Sequence, residues 1–125
     1  MTTILYVDDE VSIGKVVSRF LELRGDRVLV AHSVAEARGV LEREEPTIIF
    51  IDMWLGHESG FELVNWIDEA RPHLSEAVTF VTGSLVDPTS EDMLTKTLGR
   101  RVIRKPFDLT RIIEVVDDAE KRVDA

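Results

Sequence analysis

The stretch TIIFID, residues 47–52, sets four consecutive apolar side chains between Pro46 and an aspartate. A strand with one wet face alternates apolar and polar residues, whereas a run that is apolar at every position fits a strand covered on both faces, as in a parallel sheet. Similar short runs occur at Ile4–Val7, Arg27–Ala31, Ala77–Val81 and Arg101–Arg104, with longer segments of helical period between them. This alternation predicts repeated βα units, with five strands and five helices around a parallel α/β sheet.

Local signals place the boundaries. The first helix is expected from Val11 to Arg24, with Ile13, Val16, Val17, Phe20 and Leu23 as its inner stripe and Gly25 as its stop. Ser33, with Glu36 three residues on, reads as the capping box of a second helix. The third helix is expected to start near Gly60, end before Pro72, and give Phe61, Leu63, Val64 and Ile67 to the core. Ser84 to Thr89 reads as a loop, Ser90 as the cap of a short fourth helix closed by Gly99, and Asp108 as the cap of a last helix packing through Leu109, Ile112, Ile113, Val115 and Val116.

The residues just past the strand ends carry the chemistry. Asp8 and Asp9 follow ILYV, Asp52 follows TIIFI, Thr82 follows AVTFV and Lys105 follows RVIR. Side chains at the carboxyl ends of parallel strands converge on one crevice. Acids brought together there repel by roughly 4 kcal/mol per pair at about 4 Å and an effective dielectric near 20. A cation is therefore required, and magnesium characteristically takes one or two carboxylates, waters and a phosphate. A metal, an ammonium and a hydroxyl around one carboxylate are the parts of phosphoryl transfer, so Asp52 reads as a nucleophile that becomes an acyl phosphate.

VDDE at 7–10, IIFIDMWL around Asp52, Gly60, FVTG at 80–83 and RKPF at 104–107, taken in order, resemble the receiver domains of two-component response regulators over nearly the whole chain. The resemblance implies a doubly wound, flavodoxin-like (βα)5 fold of strand order 2-1-3-4-5 with helices on both faces. It also implies a single receiver domain over residues 1–125, with no effector domain in this chain. Asp52 would accept phosphate from the phosphohistidine of a sensor histidine kinase or a histidine phosphotransfer protein. Asp9, Asp52 and the backbone carbonyl of Trp54 would hold Mg²⁺ (or Mn²⁺) directly, with Asp8 assisting through water. Thr82 and Lys105 would hold the phosphate oxygens, the Lys105–Pro106 peptide would be cis, and Gly83, Ser84, Val102 and Pro106 would tune the switch. Such a domain is no enzyme beyond its own phosphotransfer and autodephosphorylation. Its output would leave through the fourth helix, fifth strand and fifth helix, a face that allows a phosphorylation-dependent homodimer.

Two departures stand out. Many receivers carry Tyr or Phe three residues before the lysine; here that position is Val102, so movement of Thr82 must be reported otherwise. The usual proline four residues after the phosphoacceptor is Gly56, which predicts a looser loop from Trp54 to Glu58. Trp54 and Ser84 occupy the positions flanking the attacking water, where the indole reads either as a shield that prolongs the phosphorylated state or as a partner contact. A receiver-like docking module that signals without phosphorylation is the alternative reading. A phosphatase of the haloacid dehalogenase type is disfavoured, because it wants a second Asp where Trp54 stands.

Composition sets the bounds. A net charge of −9 disfavours direct binding of nucleic acid, which rests on a basic surface. The cluster Arg100, Arg101, Arg104 and Lys105 reads as a solvated strand edge plus the site lysine. There is no cysteine, hence no disulfide framework. No apolar run reaches the ~18 residues of a membrane span and no leader pattern opens the sequence, so a cytoplasmic location is expected. His32, His57 and His73 share no metal-ligand spacing and are expected at the surface.

Overall fold

Apolar side chains on both faces of a strand need a layer of helices on each side, and the computed structural model, which describes residues 2–83 and 99–124, meets that need. Strands β1 (Thr3–Val7), β2 (Arg27–Ala31) and β3 (Ile48–Asp52) pair in parallel, with Ile4 opposite both Val28 and Ile48. Two short strands follow, β4 (Trp54–Leu55) and β5 (Glu58–Ser59), and then β6 (Val78–Thr82) and β7 (Val102–Arg104) complete a five-stranded sheet of order β2-β1-β3-β6-β7. This is the doubly wound, flavodoxin-like order expected from the sequence, with the reversal of strand order falling between β1 and β3. Ligand crevices open there, beyond the carboxyl ends of the strands.

The period of two along each strand divides the core. Leu5, Val7, Ile49, Ile51 and Phe80 face helices α2 (Val34–Leu41) and α3 (Gly60–Ala70), meeting Ala37, Leu41, Leu63 and Ile67. Ile4, Tyr6, Phe50, Val81 and Ile103 face α1 (Val11–Leu23) and α4 (Leu109–Asp124), meeting Val17, Leu21, Ile112 and Val116. Every residue of β3 and of β6 is buried, as a strand covered on both faces requires. Among the described residues no helix is long and apolar enough to cross a membrane.

The caps work largely as read. Ser33 accepts from the Glu36 amide, while the Glu36 carboxylate reaches one residue further back than a capping box, to the His32 amide. Gly25 ends α1 at φ +97°, and Asp108 accepts from the Thr110 amide ahead of α4. A 3₁₀ segment, Pro72–Ala77, lies between α3 and β6, where the sequence carries no periodic signal.

One helical stripe is corrected. Val16 is 56% and Leu23 88% exposed, and the buried line on α1 runs through Gly14, Val17 and Leu21 instead. Gly14 is what shifts the phase: a Cβ there would lie 3.0 Å from Val30 Cγ1, so the helix sits down on β2 through its glycine. Phe61 stays partly exposed and tilts against Phe80, with ring centroids 4.9 Å apart. The predicted loop from Ser84, the helix capped by Ser90 and the tuning position Ser84 itself lie outside the described residues.

Gly60 joins the fold to the crevice. It opens α3, donates its amide to the Met53 carbonyl at 2.8 Å, and approaches Asp52 so closely that a Cβ would sit 2.1 Å from the Asp52 carbonyl oxygen. Gly60→Ala is expected to cost about 3 kcal/mol in urea unfolding, because backbone rather than a flexible side chain must yield. Gly39→Ala, in the middle of α2 with nothing within 4 Å of a new Cβ, is expected to stabilise by about 1 kcal/mol through helix propensity.

Candidate functional site

The carboxyl ends of β1, β3, β6 and the residue following β7 deliver four of the expected groups to one place. Asp8 is fully buried, Asp52 is 5% exposed and Thr82 is fully buried. Lys105 Nζ lies 2.7 Å from Asp52 Oδ2 and 2.7 Å from Asp8 Oδ2, an ammonium held between two buried carboxylates. Its position is set by backbone: the Lys105 amide donates to the Thr82 carbonyl at 2.8 Å, and the Lys105–Pro106 peptide is cis. Gly83 packs beside the same lysine, a Cβ there falling 3.8 Å from Lys105 Cβ.

The remaining acceptors at the site are largely satisfied by neighbours. The Trp54 amide donates to Asp52 Oδ1 at 3.0 Å, the Glu10 amide to Asp8 Oδ1 at 3.0 Å, and the Tyr6 hydroxyl to Asp8 Oδ2 at 3.3 Å. Burial and then the negative charge of Asp8 push the Tyr6 phenol far above its ordinary value, so it remains a donor. For Lys105, burial works to lower the pKa, but the hydrogen bonds to Asp52 and Asp8 outweigh it and hold the ammonium above its usual range. Burial raises the Asp52 carboxyl above the usual carboxylate range, against the opposing pull of Lys105 and the Trp54 amide.

Two participants escaped the sequence reading. Glu10 joins Asp8 and Asp52 in a set of carboxylate oxygens within 4.8 Å of one another, and its Oε1 is 3.2 Å from Lys105 Nζ. Asp9 is exposed and stands outside that set, against the hairpin turn, with Oδ2 3.7 Å from where a Cβ on Gly56 would be. His32 is the second: its Nδ1 lies 3.2 Å from the Asp8 carbonyl oxygen, which can only accept, so Nδ1 carries the proton. Glu10, the third acid of VDDE, is visible in the motif; nothing local in the sequence marks His32. His57 is exposed, and His73 pairs with Glu45 at 2.8 Å.

The segment after Asp52 corrects the expectation of a loose loop. Trp54 pairs with Ser59 and Leu55 with Glu58 in an antiparallel hairpin whose two-residue turn is Gly56-His57. Gly56 has φ +63° and His57 does not have positive φ, the sign pattern of a type II′ turn, which asks for glycine first and which proline, locked near −65°, cannot make. Leu55 is buried while Trp54, on the opposite side of the ribbon, is 59% exposed. Val102 is fully buried opposite Phe80, leaving no aromatic ring at that position to change rotamer. In the basic cluster, Arg100 pairs with Asp68 and Arg101 with Asp118, so the strand edge is neutralised locally.

A family model described as the response regulator receiver domain matches residues 4–117. The chain is 30% identical over 122 residues to the sensory transduction protein LytT of Enterococcus faecalis, covering 96% of this chain and 48% of LytT. It is 27% identical over 116 residues to the transcriptional regulatory protein GlrR of Escherichia coli, covering 93% of this chain and 26% of GlrR. It therefore spans about half the length of the first relative and about a quarter of the second. Among solved structures, a response regulator receiver domain protein from Clostridium thermocellum matches with a TM-score of 0.82 at 28% identity, covering 99% of this chain and 98% of that one. A CheY-like receiver domain protein from Methanospirillum hungatei matches with a TM-score of 0.78 at 25% identity, covering 98% of each chain.

The raised pKa of Asp52 has a consequence for stability. Below the ordinary value of 3.8 the carboxyl is protonated folded or unfolded and contributes nothing; as pH rises through the window above 3.8, the unfolded chain releases the proton first and the fold loses stability. Asp52→Asn cannot titrate. In the absence of divalent ions it is expected to melt above the wild type at pH 7, with the difference shrinking as pH falls towards 4; a constant difference across that range would contradict the assignment.

Proposed function

The chain belongs to the response regulator receiver domain family of two-component signalling, and on that premise we propose that Asp52 accepts a phosphoryl group from the phosphohistidine of a partner histidine kinase or histidine phosphotransfer protein. The observation that carries this reading is Lys105 Nζ held 2.7 Å from Asp52 in a buried crevice. In the reaction, a carboxylate oxygen of Asp52 attacks phosphorus, the P–N bond to the donor imidazole breaks, and the imidazole nitrogen leaves with the electron pair and is reprotonated. The product is an acyl phosphate. Lys105 follows the new charge on the phosphoryl oxygens, and Thr82, at the end of β6, donates its hydroxyl to the same group.

The donor set suits a hard divalent ion. Oxygens of Asp8, Glu10 and Asp52 lie within 4.8 Å of one another, and an all-oxygen set fits Mg²⁺ or Mn²⁺ rather than a softer metal. In the proposed site Asp52 and Asp8 would hold the ion with Glu10 beside them, and Asp9, exposed against the hairpin turn, and the Trp54 carbonyl would complete its shell. When bound, the ion supplies neutralisation of the clustered carboxylates and of the phosphoryl oxygens.

The domain is proposed to act as a cytoplasmic signalling module rather than as an enzyme on an external substrate, with autodephosphorylation as its own return step. The exposed face beside β7 and α4 is the proposed output, and a homodimer formed on phosphorylation is one form that output takes. Incubation with acetyl phosphate and Mg²⁺ followed by intact mass is expected to show one phosphoryl adduct on the wild type, and none on Asp52→Asn or in EDTA. Absence of the adduct from folded, metal-binding protein, with a phosphohistidine donor also failing, would favour the docking module without phosphotransfer. Mg²⁺ at about 100 times its Kd is expected to raise unfolding free energy by roughly 2.7 kcal/mol. Trp54→Asn is expected to shorten the lifetime of the adduct severalfold; an unchanged lifetime would assign the indole to partner contact.

A further inference from the structure

The two walls of the acid cluster are tied to a single short stretch of chain at the start of α2. His32 Nδ1 reaches the Asp8 carbonyl at 3.2 Å, fastening the loop between β1 and α1. Two residues later, the Val34 amide donates to Glu58 Oε1 at 3.2 Å, fastening the β4–β5 hairpin that carries Trp54. Val34 is the first helical residue after the Ser33 cap, so its amide is among those a helix start leaves without an internal partner. Glu58 is half-buried, and its negative charge lies at the helix end where the backbone dipole favours it. The hairpin in turn has contacts of its own: a positive-φ glycine turn, a buried Leu55, and the Trp54 amide on Asp52 Oδ1.

We propose that Glu58 is a positioning residue for the metal site: by bonding the Val34 amide it sets the distance between the hairpin bearing the Trp54 carbonyl and the loop bearing Asp8, Asp9 and Glu10. The inference rests on the metal site of the preceding subsection. Mg²⁺ demands near-octahedral geometry at short distances, whereas Ca²⁺ accepts irregular and larger shells. A clamp that fixes wall spacing therefore supports Mg²⁺ binding more than Ca²⁺ binding, which a residue that only stabilises the fold does not do.

Two substitutions break the same bond from opposite ends. Glu58→Ala removes the acceptor. Val34→Pro removes the donor at a position where proline is well accommodated, since it is the first of the helix and Ser33 before it is extended at φ −152° and ψ 167°. Glu58→Gln keeps an oxygen acceptor. Titration calorimetry of the full chain with Mg²⁺ and with Ca²⁺ is expected to show about tenfold weaker Mg²⁺ binding for E58A and for V34P, the size typical of lost groups that orient metal ligands. The Ca²⁺ loss is expected to be smaller, E58Q to stay near wild type, and the double variant E58A/V34P to be no weaker than either single one, because both remove one interaction. Wild-type Mg²⁺ affinity in cooperatively melting V34P and E58A overturns the clamp, as does an equal loss for both ions. If the wild type itself binds no Mg²⁺, the metal-site reading fails and the clamp with it; Mg²⁺ binding by the wild type with unaltered variants overturns the clamp alone.

Discussion

Two carboxylates buried at the end of a parallel sheet cost several kcal/mol each unless a cation lies between them, and Lys105 Nζ, 2.7 Å from Asp8 and 2.7 Å from Asp52, meets that demand. The surrounding structure is arranged to hold the ammonium there. The backbone of β7 is registered on β6 with Arg104 beside Thr82, and the next amide bonds the Thr82 carbonyl, so the lysine leaves the sheet at the crevice. On the other side, Gly60 allows α3 to start against the Asp52 carbonyl, and the Met53 amide bonds Val81, which keeps the residue after Asp52 in line with the sheet. Charge, register and the close approach of a glycine thus act on one carboxylate.

How much of this was legible depended on the range of the signal. Strand β3 could be read because burial on both faces writes an unbroken apolar run, and α2 because Ser33 and Glu36 are three residues apart. Asp52 could be read because it directly follows such a run, and Lys105 because it stands just past the short strand RVIR. The β4–β5 hairpin could not, since strands of two residues carry no period, and Gly56, which alone suggests looseness, is the turn. The phase of α1 is not legible because Gly14 has no apolar side chain to count, although its missing Cβ is what brings the helix onto Val30. His32 and Glu58 act through bonds between residues 24 positions apart, which no local pattern records.

The buried Val102 changes how a change at the crevice can travel. With no ring at that position, one route open to a displacement of Thr82 among the described residues is the packing of β6, where Phe80 lies on the same side of the strand and its ring meets the partly exposed Phe61 on α3. A bound group shifts such a packing only by its differential affinity for two arrangements, so a conformational response needs a second arrangement of comparable energy. Cores close-packed on every side resist that; the half-exposed edge at Phe61 does not.

The electrostatic balance links the two proposed ligands. When all are ionised, Asp8, Glu10 and Asp52 against Lys105 leave two net negative charges, which is the charge a divalent ion brings. Phosphorylation of Asp52 replaces one carboxylate by a group of about −1.5 to −2, and Lys105 is drawn towards it. If Asp8, fully buried in the unmodified chain, then lost its share of the ammonium, it would be costly to hold without another cation. In the proposed phosphorylated site one lysine would then be too few charges, so the proposed metal and the proposed phosphoryl group would support each other at the two 2.7 Å contacts of Lys105.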